Sequence, residues 1–396
     1  MIACEWQTCC NLCYPTSWQQ RGSAIDGEYY YDNFGISVAL SGDGTVLAIG
    51  APFNDGNGDW SGHVRVYEWN AGNFSWEKRG DDIDGDATSD GSGTSVSLSS
   101  DGTVLAIGAD RNGSYYTGHV RVYVWNADTS PPSWQKRGDD IDGEAQYNYA
   151  GSSVSLSSDG TVLAIGARGG FGRVRVYEWK ADISSWHKMG TDIDGEAASD
   201  GSGRSASLSG DGTVVAIGAV GNDGNGTDSG HVRVYGWRAD TSPPSWVQRG
   251  IAIVGEAAGD GSGYSVSLSS DGNVVAIGAP YNDGNGTDSG HVRVYEWNAD
   301  TLPPSWNQLG TDIDGEAADD LSGTSVSLSS DGTVLAIGAP GNVLDSTGYY
   351  DGHVRVYEWN ADASSWRQRR IDIDAEATGD KFGTSVSLSN DGTVLA

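Results

Sequence analysis

Residues 263–279 read Gly-Tyr-Ser-Val-Ser-Leu-Ser-Ser-Asp-Gly-Asn-Val-Val-Ala-Ile-Gly-Ala, and this stretch decides the fold. Ser265 to Ser269 alternates small polar with apolar residues, the period of a half-buried strand. Ser270-Asp271-Gly272-Asn273 is a hairpin turn, with Asp-Gly supplying the positive φ angles. Val274 to Ala279 is a nearly continuous apolar run, as expected of a strand covered on both faces. Pro280 ends it, and Asn282-Asp283-Gly284-Asn285-Gly286 is loop chemistry. His291 to Trp297 alternates again as a third strand. Asp300 to Pro304 makes a turn, and Ser305-Trp306-Asn307-Gln308 opens a short outer strand.

The unit recurs. Its leading glycine stands at Gly35, Gly93, Gly151, Gly203, Gly263, Gly323 and Gly383, in steps of 58, 58, 52, 60, 60 and 60 residues. Four antiparallel strands at this period, joined by Gly-rich turns, describe a propeller blade, and such a unit cannot bury a core without neighbours. Six copies are complete within about residues 23–381. Residues 382–396 carry strands one and two only, while residues 1–22 carry what that copy lacks. Glu5-Trp6 matches strand three, and Ser17-Trp18-Gln19-Gln20-Arg21-Gly22 matches strand four. The expected fold is therefore all-β: one domain over residues 1–396, a seven-bladed β-propeller of four-stranded antiparallel blades. Its ring would be closed by N-terminal strands three and four pairing with C-terminal strands one and two.

Composition narrows the function. The formal net charge is −31, with 54 acidic and 23 basic residues, which disfavours nucleic acid and anionic membrane surfaces. No apolar run is long enough to span a bilayer as a helix. Cys4, Cys9, Cys10 and Cys13 all lie in residues 1–14, and their spacing is no standard zinc signature. The same segment lacks a basic n-region, and Glu5 interrupts any apolar h-region, so no signal peptide is expected.

Phe34-Gly35 at the start of strand one and Gly50-Ala51-Pro52 at the end of strand two resemble the FG-GAP repeat of integrin α-subunit propellers. Gly-Ala-Pro recurs at Gly278-Ala279-Pro280 and Gly338-Ala339-Pro340, and Phe-Gly at Phe382-Gly383; elsewhere the Phe position holds Ser92, Ala150, Ser202, Ser262 or Ser322. Variant FG-GAP repeats with the phrase GDGTVLAIGAP…GHVRVY are the most similar. The resemblance implies a propeller and a role in adhesion. Integrin-type repeats also carry a calcium loop between strands one and two. Here that connection is only a hairpin, as at Asp43-Gly44 and Asp101-Gly102, with too few oxygens for a coordination shell of six to eight. WD40 repeats share an Asp-Gly hairpin, but their period is shorter and their Gly-His precedes strand one, whereas Gly62-His63 here opens strand three.

Residues multiplied by the repeat read as structural. His63, His119, His231, His291 and His353 occupy one repeat position, where the short copy has Arg173. No Ser-His-Asp, HExxH or P-loop pattern stands apart from the repeat. Arg79-Gly80-Asp81 and Arg137-Gly138-Asp139 fall at a degenerate strand end and read as coincidence with the integrin-recognised tripeptide.

The loops differ from copy to copy. Alternating strand direction sends the two-to-three and four-to-one connections to one face. Their oxygen-bearing residues suit Ca²⁺: Asp55, Asn57, Asp223, Asn225, Asp228, Asp283, Asn285 and Asp288 in the former, Asp312, Asp314 and Glu316 in the latter. The plainer reading of these residues is turn formation. Tyr29, Tyr30, Tyr31, Tyr147 and Tyr149 lie on four-to-one connections, and Trp60, Tyr115, Tyr116, Tyr349 and Tyr350 on two-to-three loops. Exposed aromatics of this kind anchor protein or carbohydrate ligands. Sequons at Asn73, Asn112, Asn225 and Asn285 are candidate glycan sites.

Together these features predict a non-catalytic binding or adhesion module, not an enzyme, outside the cell or on its surface, with Ca²⁺ as the only cofactor considered. The alternatives are an intracellular WD40-like scaffold and a propeller hydrolase or lyase using carboxylates around the axial channel.

Overall fold

A computed structural model describes residues 4–5, 17–342, 351–377 and 379–396. Each repeat forms one antiparallel sheet ordered as in the sequence. In the first, Ser37–Leu40 pairs with Val46–Ala51, which pairs with His63–Asn70, which pairs with Ser75–Lys78. The four-to-one segment then adds Ile83–Asp84 beside the start of His63–Asn70, giving five strands in all. Five further sheets repeat this order, through to Ser325–Leu328, Val334–Ala339, His353–Asn360 and Ser365–Gln368.

The sequence pattern explains the layering. The Val-Leu-Ala-Ile-Gly-Ala strand is buried along its whole length because adjacent sheets cover both faces. Each apolar cluster accordingly draws on two blades, as where Val64, Val66 and Ile83 meet Val96, Leu98, Leu105 and Ile107. Glycine makes the close approach possible: a Cβ on Gly50 would stand 2.1 Å from the carbonyl oxygen of Gly93 in the next blade. That carbonyl accepts a hydrogen bond from the Ser37 hydroxyl at 2.7 Å. At the outer edge, the indole N–H of Trp76, Trp134, Trp186, Trp246, Trp306 and Trp366 each donates to a main-chain oxygen of the preceding blade.

Among the described residues six complete blades form, not seven. Between the last and the first lies a smaller sheet of three two-residue strands, Gln19–Gln20, Cys4–Glu5 and Val394–Leu395. Strand two has six residues in each complete blade and is Val394–Leu395 here, and strand one joins it through the bridge of Leu388 to Leu395. The small sheet still has apolar neighbours on both sides, Val334 and Val354 on one and Leu47 and Ile49 on the other.

Around the axis the hairpins are linked in a cycle of backbone hydrogen bonds. Gly42 donates to Ser100, Ser100 to Ser158, Ser158 to Gly210, Gly210 to Ser270, Ser270 to Ser330, Ser330 to Asn390, and Asn390 to Gly42, all at 2.7–2.8 Å.

Candidate functional site

The axial channel at the hairpin end is a cavity of about 140 Å³ walled by leucine, serine, glycine and one asparagine, among them Leu40, Leu98, Ser100 and Asn390. No carboxylate lines it. The chemistry lies on the opposite face, where two-to-three loops and four-to-one connections meet. Tyr147 N–H donates to the Tyr115 carbonyl at 2.7 Å and Tyr149 N–H to the Tyr116 carbonyl at 3.0 Å, so aromatics from two connections are held side by side.

Two clefts adjoin on this face. The larger, about 1020 Å³, is lined by Glu28, Tyr29, Tyr31, Asp32, Phe53, Asp55, Trp60 and Arg111. The smaller, about 600 Å³, shares Trp60 and Arg111 and adds Tyr116, Tyr149 and Arg168. Repeat geometry explains the gathering: Asp110 and Arg168 follow the Gly-Ala that ends strand two in their blades, where the other copies carry Pro52, Val220, Pro280 or Pro340. Residues 58 apart in sequence thus stand on neighbouring blades at one level.

Asp110 is 1% exposed and organises the cleft floor. Its carboxylate meets Arg168 Nη2 at 3.0 Å and Arg111 Nε at 3.9 Å, and accepts a hydrogen bond from Thr94 Oγ1 at 3.2 Å. Burial pushes the carboxyl above its usual pKa, against the pull of Arg168 and Arg111. Both guanidinium groups lie over aromatic rings, Arg111 4.7 Å from the Phe53 centroid and Arg168 5.3 Å from that of Tyr149. Tyr149 in turn stacks on Tyr116, with centroids 5.7 Å apart and planes inclined by 13°. Trp60, Tyr116, Tyr147 and Tyr149 all have positive φ, a conformation that costs a non-glycine residue about 1–2 kcal/mol. At the Tyr149 position the other copies carry Asn33, Gly91, Gly201, Gly261, Leu321 or Lys381, each also with positive φ.

Among the expected ligand-binding aromatics, the structure brings Tyr29, Tyr31, Trp60, Tyr116 and Tyr149 to the two clefts. Tyr115 and Tyr147 pack beside them, and Tyr30 is 90% exposed, in edge contact with Tyr31. Tyr349 and Tyr350 lie outside the described residues. Sequence reasoning passed over Phe53, Asp110, Arg111 and Arg168, although their departure from Gly-Ala-Pro was visible in the aligned copies.

The acidic loop residues act as turn formers. Asp55, Asp223 and Asp283 each accept a main-chain N–H, from Trp60, Asp228 and Asp288 respectively. Burial, then Asp283 and Asp319, push the Asp288 carboxyl up. The amides of Asn57, Asn225 and Asn285 donate to main-chain oxygens of the adjoining connection, at Gly85, Gly255 with Glu256, and Gly315 with Glu316. Asn225 and Asn285 therefore have their glycan-bearing nitrogens committed. Asn112 donates to Asp90, whereas Asn73 sits on an exposed turn with its amide on Glu77. Asp314 and Glu316 are exposed, and Asp312 is half-buried beside His291.

A sequence model of the FG-GAP repeat matches residues 19–67 and 252–295. Among curated proteins, none matches the chain. Similar solved structures include the periplasmic gluconolactonase of Pseudomonas aeruginosa, at 15% identity and a TM-score of 0.57, covering 87% of this chain and 86% of that one. A protein described as a 6-phosphogluconolactonase from Bacteroides uniformis matches at 12% identity and a TM-score of 0.60, over 92% and 90% of the two chains. The hydrazine synthase of Kuenenia stuttgartiensis matches at 13% identity and a TM-score of 0.56, over 94% and 95%. At these identities the likeness is one of fold.

The expectation of a non-catalytic adhesion module, and with it the exclusion of enzymes, is corrected by this comparison: the similar propellers include lactone-hydrolysing enzymes. Rim loops can assemble charged groups from three successive blades without any local motif. Residues 19–67 and 252–295 match the FG-GAP repeat, and the chain folds as a β-propeller.

Proposed function

We propose that this chain is a hydrolase of a small, anionic, sugar-derived lactone, acting in the paired clefts of the first three blades. The observation that carries the proposal is Arg111 and Arg168 braced by buried Asp110 where the repeat otherwise favours proline. The names of the similar propellers supply the substrate class.

In this reading Trp60, Tyr116 and Tyr149 pack against the sugar ring, and Arg168 holds its anionic group. Arg111 faces the lactone carbonyl and stabilises the oxyanion formed when water adds to it. Asp55 takes the proton from that water: one of its oxygens accepts from Trp60 N–H, leaving the other for the cleft. The carbonyl re-forms as the ring C–O bond breaks, the ring oxygen takes up a proton, and the product is the open hydroxy acid.

The three-stranded closing sheet stands, on this proposal, in the place of a seventh blade in one domain. A location outside the cytoplasm goes with it, supported by the strong acidity and by the exposed Asn73 sequon.

The deciding experiment is acid release from glucono-1,5-lactone and its 6-phosphate, followed at constant pH. Turnover above the spontaneous rate that falls at least about 100-fold in Asp55→Asn supports the proposal. Rates equal to the spontaneous ones with both substrates overturn it.

A further inference from the structure

Five of the six blades carry one pair of carboxylates at the rim, the fourth having Ala252 in place of one of them, and in the fifth and sixth blades Gln308 and Gln368 stand where the first three have lysine. Carboxylates from two adjoining connections flank the first residue of strand three. In the first blade these are Glu28 and Asp82, both paired with Arg65, while Lys78 adds a second cation 2.8 Å from Asp82. The second blade has Asp86 on Arg121 and Asp140 on Lys136. In the third, Arg173 replaces the histidine and reaches Glu144 at 3.1 Å and Asp192 at 3.0 Å, with Lys188 also on Asp192. That substitution marks the space between the two carboxylates as a place for a cation.

The fifth blade keeps both carboxylates, Glu256 and Asp312, but Gln308 occupies the position of Lys78, Lys136 and Lys188. Gln308 donates to Asp312 at 2.6 Å and brings no charge. Arg293 holds Glu256 through Oε1 at 3.6 Å, which leaves Oε2 turned to His291 Nδ1 at 3.8 Å. His291 is 1% exposed, and neither ring nitrogen has a hydrogen-bond partner. Two orphaned nitrogens on so deeply buried a ring are costly without a ligand. One ligand atom each from Glu256, His291 and Asp312 lies within 4.8 Å of the others.

We propose that Glu256, His291 and Asp312 form a binding site for a divalent transition metal, zinc in particular. The imidazole favours such an ion over calcium, which takes oxygen ligands alone. Zinc sits about 2.0–2.2 Å from nitrogen and carboxylate ligands, so the two exposed-side carboxylates would rotate inward to close on it. The site lies in the fifth blade, apart from the clefts of the first three, and does not depend on the hydrolase reading.

The test is equilibrium dialysis of the intact chain against micromolar Zn²⁺, with bound metal counted by mass spectrometry in wild type, Gln308→Lys and Asp312→Asn. Gln308→Lys restores the ion pair of the first three blades. Both variants are expected to hold one zinc fewer per chain than wild type, with unchanged melting in chelator, and excess Ca²⁺ should displace none of it. Counting by difference removes any zinc held by the N-terminal cysteines, which all three chains share. Equal zinc in wild type and Gln308→Lys, or displacement by Ca²⁺, would overturn the proposal.

Discussion

The backbone N–H of Asn390 donates to the carbonyl of Gly42 at 2.8 Å, joining the last hairpin of the chain to the first. The bond completes the cycle around the axis, and the contacts behind it are apolar. Val394 and Ala396 pack on Val38, Leu40, Leu47 and Ile49, while Leu395 faces Val334 and Val354.

Leu395 is 3% exposed and pairs with Cys4 across the closing sheet. Leu395→Ala is therefore expected to destabilise the protein by about 2–4 kcal/mol, as buried leucine truncations do. Leu302→Ala, at a side chain 99% exposed, should stay within about 0.5 kcal/mol. Chemical denaturation of both variants checks this, and equal midpoints would mean that closure contributes nothing to stability.

How much could be read beforehand differs by level. Ser265–Leu268, Val274–Ala279 and His291–Asn298 sit where alternation and the Asp-Gly turn placed them, because each rule acts over a few residues. The extra pairing of Ile313–Asp314 with His291 and Val292 was not foreseen: two residues carry no period. The ring closure was half legible. Complementary strand types showed which ends meet, but not that the described strands of the closing sheet have two residues each. The cleft was least legible, since Arg168 belongs to a different repeat from Asp110 and Arg111, and only rotation about the axis brings them together.

Gly338 tests the tight contact between blades. A Cβ there would stand 1.9 Å from the Gly383 carbonyl oxygen and 2.3 Å from Ser325 Oγ. Because backbone cannot move aside cheaply, Gly338→Ala should cost at least about 3 kcal/mol. Gly259→Ser, where a Cβ meets nothing within 4 Å, should cost far less, the residual coming from its φ of +90°. Thermal melts of the pair would separate packing from backbone strain.

Stability should fall in two stages as the solution is acidified. Burial, then the adjoining arginine, lowers the pKa of His63, His119, His231, His291 and His353 below 6.5. A depressed folded pKa means that the unfolded chain binds the proton first, so stability declines once the pH drops below about 6.5. The second stage lies below the ordinary aspartate range. Burial raises the hairpin carboxyls of Asp43, Asp101, Asp159, Asp211, Asp271, Asp331 and Asp391, but hydrogen bonds from Ser, Thr or Asn neighbours outweigh it and hold them low. Their contribution is present above about pH 4 and lost as the pH falls through the folded values. Urea midpoints measured from pH 8 to pH 3 in chelator should show both declines; a flat profile from pH 7 to pH 5 would contradict the first.

Asp110 offers the sharpest test of the cleft, because it is too buried to meet a substrate and can act only through the arginines. Asp110→Asn keeps the shape and removes the charge that fixes Arg168 at 3.0 Å. The carboxylate is itself destabilised by burial, so the loss of its ion pair is partly offset and folding stability should change by less than about 1 kcal/mol. Lactone turnover should show a KM raised about 10-fold with kcat nearly kept, the signature of lost ground-state positioning. The effect should be larger for the 6-phosphate than for the uncharged lactone, since Arg168 serves the anionic group. Equal effects on both substrates would assign Asp110 a purely structural role and remove Arg168 from substrate binding.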